Sequence, residues 1–287
     1  MSNGFINVLK PPGMTSHDVV SFIRRIYGLK RVGHAGTLDP AAAGVLPVAL
    51  GQATKLIEYT TDADKSYRAE LTFGFSTNTG DTTGEITCRS NFAMPEETEL
   101  AAALHSFVGK NEQVPPMHSA IKIAGKKLYE LARNGITVER KPRIVWIHKI
   151  ELIRSDDPTI LFDVTCSKGT YIRTLCMDIG AKLNIPAVMS FLVRTRVGSF
   201  SLADAFTIEE IAEQPNLALL PVDTALQHLP KVVLSESEAR SFQHGQVIPY
   251  TGLAQPVLRI YQPNYTFIGI GQLSSNSLMP VKVMSFA

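Results

Sequence analysis

Asp39 is the residue of this sequence best placed to do chemistry alone. It stands in GHAGTLDPAAAGVLP (residues 33–47), whose other members are nearly all small or apolar and include no second acid, cysteine or lysine. Pro40 biases Asp39 out of the helical region into an extended conformation. Gly33 and Gly36 permit backbone shapes and close approaches that a side chain would forbid. The loop can therefore present one carboxylate with little bulk around it. In an apolar setting such a group is driven toward its neutral form, because desolvation raises its pKa. To act as a nucleophile it needs a cation or donors nearby: Arg31, His34, or an arginine from elsewhere in the chain. A plain turn is the competing reading, since Asp-Pro commonly opens turns by bonding the backbone ahead of it. The local sequence leaves both open.

One arginine that could serve lies in SKGTYIRTLCMDIG (167–180). Arg173 falls in the first turn of an expected helix, where a positive charge is unfavourable and wants a partner. A carboxylate would take its fork in a bidentate pair. Alternatively Arg173 faces solvent or pairs with Asp178, although five residues is a poor helical pairing distance. Tyr67, in DKSYRAE (64–70), is an ordinary strand tyrosine or a flat face on which a base stacks. PPMHSAIKIAGKKLYELARNG (115–135) is basic and interleaved with Met117, His118 and Tyr129. It has the look of an RNA-facing flap, and equally of an exposed helical hairpin.

The elements that must position these residues follow from pattern. TSHDVVSFIRRIYGLK reads as a helix with Ser16 as N-cap, Asp18 suited to its positive end and Gly28 as its stop. PEETELAAALHSFVG reads as a helix closed by Gly109, and GTYIRTLCMDIGAKLN as one capped by Thr170. GVLPVALG, YRAELTFGF, WIHKIEL and ILFDVTC read as strands, and STNTGDTTGE as a polar loop. No βαβ repeat recurs, so the expected class is α+β with a largely antiparallel sheet. After Leu229-Pro230 the chain becomes a small β-rich module of compact-domain size.

The chain of 287 residues is long enough for one large domain plus a small one, or for two, and 45% hydrophobic content suits a buried core. No apolar run approaches the length of a membrane span. The start, MSNGFINVLKPPGMTS, lacks the pattern of a signal peptide. Cys88, Cys166 and Cys176 form neither a CxxC pair nor a metal spacing, so no disulfide framework or zinc site is expected and a reducing cytoplasm is the default. Net charge is only +2. Yet Gly109–Arg154 holds ten Lys or Arg against four acids. This is either a face for a polyanion or a solvated lysine-rich surface.

Taken in order, KPPGMTSHDVV, GHAGTLDPAAAGVLPVALGQATKL, DKSYRAE, GDTTGE, PPMHSAIKIAGKKLYELARNG, CSKGTYIRTLCMDIG and LVRTRVGSF resemble the bacterial-type tRNA pseudouridine(55) synthase family. The resemblance runs along nearly the whole chain, and the GHxGxLDPxAxGxLP block is highly specific. It implies a pseudouridine-synthase-like mixed, largely antiparallel sheet flanked by helices. It implies a catalytic domain over 1–228 with a thumb-like RNA-binding insertion at about 109–145, and a PUA-like RNA-binding domain over 229–287. By position, Asp39 falls on the catalytic aspartate, Tyr67 on the tyrosine that packs against the target base, and Arg173 on the arginine that pairs with the aspartate. His34 falls on a loop histidine that meets the RNA. Tyr171, Leu192 and Lys10 fall on positions lining the pocket or its approach. Lys122, Lys126, Lys127 and Arg133 belong to the thumb. Asn78, His118 and Val193 depart from the usual pattern, leaving the catalytic set untouched.

The implied reaction isomerises the T-loop uridine at position 55 of tRNA. The N1–C1′ bond is broken, the base is turned over, and C5 is joined to C1′. No cofactor or metal is called for. A single nucleophilic Asp suits this, whereas a glycosidase would want two carboxylates and admit water. The implied partner is the tRNA T-arm, with no membrane, no required protein partner, a monomeric state and a cytoplasmic location. The rival readings are a synthase for another RNA and a non-catalytic RNA-binding or tRNA-folding protein on the same fold. An Asp-nucleophile phosphohydrolase is a further rival, disfavoured because it would want a second Asp and Mg²⁺ ligands.

Overall fold

Near-continuous apolar runs make the first strands, as expected where both faces are covered. In the computed structural model, which describes residues 2–119, 121–123, 125–251, 256–274 and 276–285, the chain forms two compact units. One comprises Met1–Asp62 with Arg196–Ala287, the other Ala63–Thr195. Ala120 and Ala124 of the basic segment, and the last two residues of the β-rich module, lie outside the described residues.

The first unit begins with β1 (Gly4–Lys10). Helix α1 (Ser16–Tyr27) follows and buries Val19, Val20 and Ile23 against Ile6, Val8, Leu46 and Val48. Its N-cap is Thr15, one residue earlier than the expected Ser16. Thr15 Oγ1 accepts from the Asp18 amide and the Asp18 carboxylate accepts from the Thr15 amide, a reciprocal capping pair. Gly28 ends the helix with φ at 61° in the left-handed region. β2 (Val32–His34) and β1 both pair antiparallel with β3 (Ala43–Leu50), so the Asp39 loop is the β2–β3 connection. A 3₁₀ turn (Gly51–Leu56) and the short α2 (Ile57–Thr61) complete this part.

The second unit contains β4 (Lys65–Phe73), β5 (Phe75–Thr77), β6 (Ile86–Arg89), α3 (Glu97–His105) and β7 (Gly109–Gln113). Next come β8 (Lys122–Ile123), β9 (Lys126–Lys127), α4 (Leu128–Arg133), β10 (Arg143–Asp156), β11 (Thr159–Cys166), α5 (Ile172–Lys182) and most of β12 (Ala187–Val197). Its strands lie in the order β12-β4-β11-β10-β7, with β4, β11, β10 and β7 antiparallel in turn. β4 alternates strictly, turning Lys65, Tyr67, Ala69, Leu71 and Phe73 inward. Two expected helix ends move. Helix α3 stops at His105, and Gly109 instead opens β7 with φ at 104°. Helix α5 starts after Tyr171, while the Thr170 hydroxyl donates to the Ser167 carbonyl. β10 is far longer than the expected strand because it pairs on both edges.

The chain then returns to the first unit through β13 (Phe200–Ser201), α6 (Ile208–Glu213), α7 (Pro215–Ala218) and a 3₁₀ turn (Val222–Leu226). The β-rich module follows: β14 (Lys231–Val233), α8 (Glu236–Gln243), β15 (Ile248–Pro249), β16 (Val257–Tyr261), β17 (Phe267–Ser274) and β18 (Ser277–Val283). These strands lie in the order β14-β16-β17-β18-β15, parallel only between β14 and β16. The module has its own core of Val232, Leu234, Phe242, Leu258, Ile260, Ile268 and Leu278. Tyr261, Phe267, Ile270 and Met284 instead enter a cluster with Phe5, Leu56, Val222 and Leu226. Lys282 pairs with Glu58 at 2.8 Å, and Lys55 donates to the Val283 carbonyl at 3.0 Å. No helix among the described residues is long and apolar enough to cross a membrane.

This shared cluster makes the module structural for the first unit. Each of its four contributed side chains, once buried, is worth about 1.5–3 kcal/mol, so together they rival the ~5–15 kcal/mol stability of a whole domain. Truncation after Leu229 is therefore expected to abolish or sharply lower the first unit's cooperative urea transition. An unchanged midpoint, followed by tryptophan-independent far-UV circular dichroism, would refute the shared core.

Candidate active site

The Asp39 loop is built from below by two buried polar side chains of the first unit. Ser16, at the start of α1, accepts from the Leu38 amide at 2.9 Å and donates to the Leu38 carbonyl at 3.2 Å. Lys10, at the end of β1 and fully buried, donates to the carbonyls of Pro11 (2.9 Å), Met14 (2.6 Å) and Pro40 (3.2 Å). The Pro40 carbonyl also accepts from the Gly13 amide at 2.9 Å. Residues 38 and 40 are thus fixed on either side of Asp39. Ala42 turns back to the Asp39 carbonyl at 3.1 Å, and Gly36 takes a φ of 101° that other residues rarely adopt. Asp39 itself is partly exposed, as is His34 on β2, while Leu38 and Ala42 are buried. A carboxylate between two pinned neighbours is presented without waiting for the loop to order.

The second unit holds the other candidates. Tyr67 stands buried on β4, where the Arg194 guanidinium hydrogen-bonds its hydroxyl. Arg194 is itself only 1% exposed. Burial draws the arginine below its ordinary pKa, and the tyrosine oxygen works in the opposite direction. Leu192 lies buried two residues earlier on the same strand, β12.

Arg173 is 5% exposed and joins three segments. From α5 its Nη1 donates to the Thr79 carbonyl at 3.0 Å and its Nη2 to the His118 carbonyl at 2.7 Å. Its Nε lies 3.7 Å from Asp81 Oδ2. Asp81 Oδ1 accepts from Thr79 Oγ1 (2.7 Å), the Thr83 amide (3.0 Å) and Thr83 Oγ1 (2.6 Å). Burial would raise this carboxyl, but those bonds and the Arg173 charge outweigh it and hold Asp81 below the usual carboxylate range. Arg173 therefore does not face solvent. Asp178 follows the opposite course, for burial pushes its carboxyl up to about 6.

Tyr171, directly before α5, is held by Gln113 of β7. The Tyr171 amide donates to Gln113 Oε1 at 3.0 Å, and Gln113 Nε2 donates to the Tyr171 carbonyl at 3.3 Å. In the basic segment Lys122, Lys126 and Arg133 are exposed and Lys127 is half-buried. The Lys127 ammonium and the Arg133 guanidinium both approach the Tyr129 ring, at 5.3 and 5.5 Å.

Ser16, Gln113 and Arg194 escape sequence reasoning as site residues. Ser16 reads as a cap. Gln113 is a lone amide near a strand end. Arg194 carries a usable signal: it shares a strand face with Leu192 by the period of two.

The structure aligns over 98% of this chain and 84% of the other with that of a Cbf5-Nop10-Gar1 complex, at a TM-score of 0.76 and 29% identity. It aligns equally well, at 26% identity, with an H/ACA RNP bound to a substrate RNA containing 2′-deoxyuridine. Residues 24–172 match the TruB family pseudouridylate synthase (N terminal domain). Residues 173–227 match the tRNA pseudouridylate synthase B C-terminal domain, and residues 230–284 the Pseudouridine synthase II TruB, C-terminal, family. The fold is that of a pseudouridylate synthase. Two relatives called tRNA pseudouridine synthase B narrow this further. That of Caldanaerobacter subterraneus subsp. tengcongensis is 47% identical over 283 residues, 98% of this chain and 99% of its own. That of Alkaliphilus oremlandii is 52% identical over 248 residues, 86% and 83% respectively. The chain belongs to the TruB family of pseudouridine synthases.

Proposed function

We propose that this protein isomerises uridine 55, in the T-loop of tRNA, to pseudouridine, with Asp39 as the nucleophile. The observation that carries the reading is the loop itself, which holds residues 38 and 40 through Ser16 and Lys10 and leaves one carboxylate between them. The N1–C1′ bond breaks, the base turns, C5 bonds to C1′, and the C5 proton is lost as N1 gains one. Atoms and electrons balance without cofactor or metal. The target must leave its stack, a cost of a few kcal/mol that binding of the turned-out base offsets. Tyr67, its hydroxyl held by Arg194, offers a ring to that base. Arg173, Tyr171 and Leu192 bind substrate, His34 meets the RNA, and Lys10 serves the approach through the loop it supports. Functionally the chain divides into a catalytic domain over 1–228, with its thumb at about 109–145, and a PUA-like RNA-binding domain over 229–287. It acts as a cytoplasmic monomer on the tRNA T-arm without a protein partner.

Mapping pseudouridine in tRNA after incubation with the pure protein and EDTA tests the activity. A single new pseudouridine at position 55 is expected. Product elsewhere would point to another RNA substrate, and none at all to a non-catalytic RNA-binding role. The thumb is tested separately. Replacing Lys126 and Lys127 by Ala should weaken tRNA binding and lower the slope of log affinity against log salt by roughly one per lost phosphate contact. An unchanged slope in a binding titration would take the thumb out of the RNA interface.

A further inference from the structure

We propose that the hairpin tip between β16 and β17 is a stacking site for an unpaired base of tRNA, with Tyr265 as its platform and Lys231 as its phosphate partner. The proposal rests on tRNA being the substrate. Among the described residues, the non-glycine positions with positive φ are Asn184 and Tyr265. Asn visits that region readily, whereas a bulky tyrosine there at φ 62° is an outlier that its surroundings must enforce. Those surroundings are local. The Gln262 amide donates to the Thr266 carbonyl and the Tyr265 amide to the Gln262 carbonyl, both at 2.9 Å. The Asn264 side chain accepts from the Thr266 amide at 3.0 Å. Gln262 Nε2 also donates to Gln243 Oε1 at 3.3 Å, tying the tip to α8.

This backbone holds the ring outward. Tyr265 is 66% exposed, while its neighbours Tyr261 and Phe267 are buried. The Lys231 ammonium lies 4.8 Å from the Tyr265 ring centre and 5.8 Å from that of Tyr261. One face of the exposed ring therefore meets a cation and the other is left to a ligand. An aromatic face beside a solvent-exposed ammonium takes a base and its phosphate together, and such stacking tolerates any base because every base has a π-face. A tRNA offers unpaired bases in its loops and in its single-stranded 3′ tail, and the chemistry at Tyr265 suits both.

The test measures equilibrium tRNA binding across a salt series. Tyr265→Asn keeps a residue that accepts positive φ and removes only the ring, so the fold should persist with an unchanged melting temperature. It should weaken binding about tenfold without changing the salt slope, and Tyr265→Phe should bind as the parent does. Lys231→Ala should lower the slope by about one. Repeating the titration with tRNA lacking its 3′ tail identifies the source: if the Tyr265→Asn defect disappears the base is in the tail, and if it persists the base is in a loop. Parent-like binding of intact tRNA by a stably folded Tyr265→Asn protein overturns the proposal. A parent protein that bound no tRNA would instead overturn the proposed function.

Discussion

Asp39→Asn protein is expected to fold, to bind tRNA about as tightly as the parent, and to form no detectable pseudouridine. The substitution preserves size and keeps a hydrogen-bonding group. The backbone on either side stays held by Ser16 at Leu38 and by Lys10 at Pro40. If residue 39 only shaped a turn, its loss would cost about 1 kcal/mol or less of stability and leave activity near normal. Removal of an essential nucleophile instead costs several powers of ten in rate, each worth ~1.4 kcal/mol of barrier. No turn effect reaches that size. Two measurements on the one variant decide: tRNA affinity, and pseudouridine formed in a single turnover at saturating enzyme. Activity within tenfold of the parent would return Asp39 to the status of a turn residue.

Arg173→Lys is expected to be damaging too, although it conserves the charge and the loss is smaller. The guanidinium reaches two backbone carbonyls with separate nitrogens, Thr79 and His118, while its Nε sits near Asp81. One carbonyl belongs to the polar loop after β5, the other to the segment between β7 and β8. An ammonium is a single point on a flexible stem and cannot reproduce that planar fork. Each lost charge-assisted bond is worth about 1.5–3 kcal/mol, the more so where a buried carbonyl is left unmet. A melting temperature lower by several degrees is expected, together with a single-turnover rate reduced roughly a hundredfold, the scale of a displacement of about 1 Å among reacting groups. A Lys variant with parent-like rate would show that charge alone suffices at position 173.

Several of these residues were legible from pattern and several were not, for reasons that differ residue by residue. Helix α1 could be read from its apolar spacing and Gly28, because those signals are local. Its cap was misplaced by one residue because the Ser16 hydroxyl is engaged with Leu38, 22 residues away. The start of α5 moved for a similar reason: Gln113, 58 residues earlier, supplies the bonds at Tyr171. Asp39 stood out because a lone acid among glycines and alanines is chemically odd. Arg173 advertised its need for a partner through its place at a helix start. Two of the partners are backbone carbonyls, which carry no residue-type signal. Arg194 is buried although its residue type is rarely buried unless paired. The Tyr67 hydroxyl that helps satisfy it is far off in sequence.

The division of the chain has a consequence for how the protein is made. The unit that carries Asp39 is assembled from two stretches far apart in sequence, with Phe5 and Leu56 sharing a cluster with Phe267 and Met284. Residues Ala63–Thr195 are all present well before that cluster can close. Synthesis proceeds from the N-terminus at about 5–20 residues per second, so β1 and β3 wait roughly 10–40 s for Phe267 with part of their apolar surface uncovered. The long intervening segment adds little thermodynamic penalty, because closure entropy grows only logarithmically with length, ~0.6 kcal/mol per doubling. The penalty is one of time. A nascent chain arrested before Phe267 displays the apolar side chains that later strands would cover, which makes it a substrate for chaperones and proteases until Met284 has emerged.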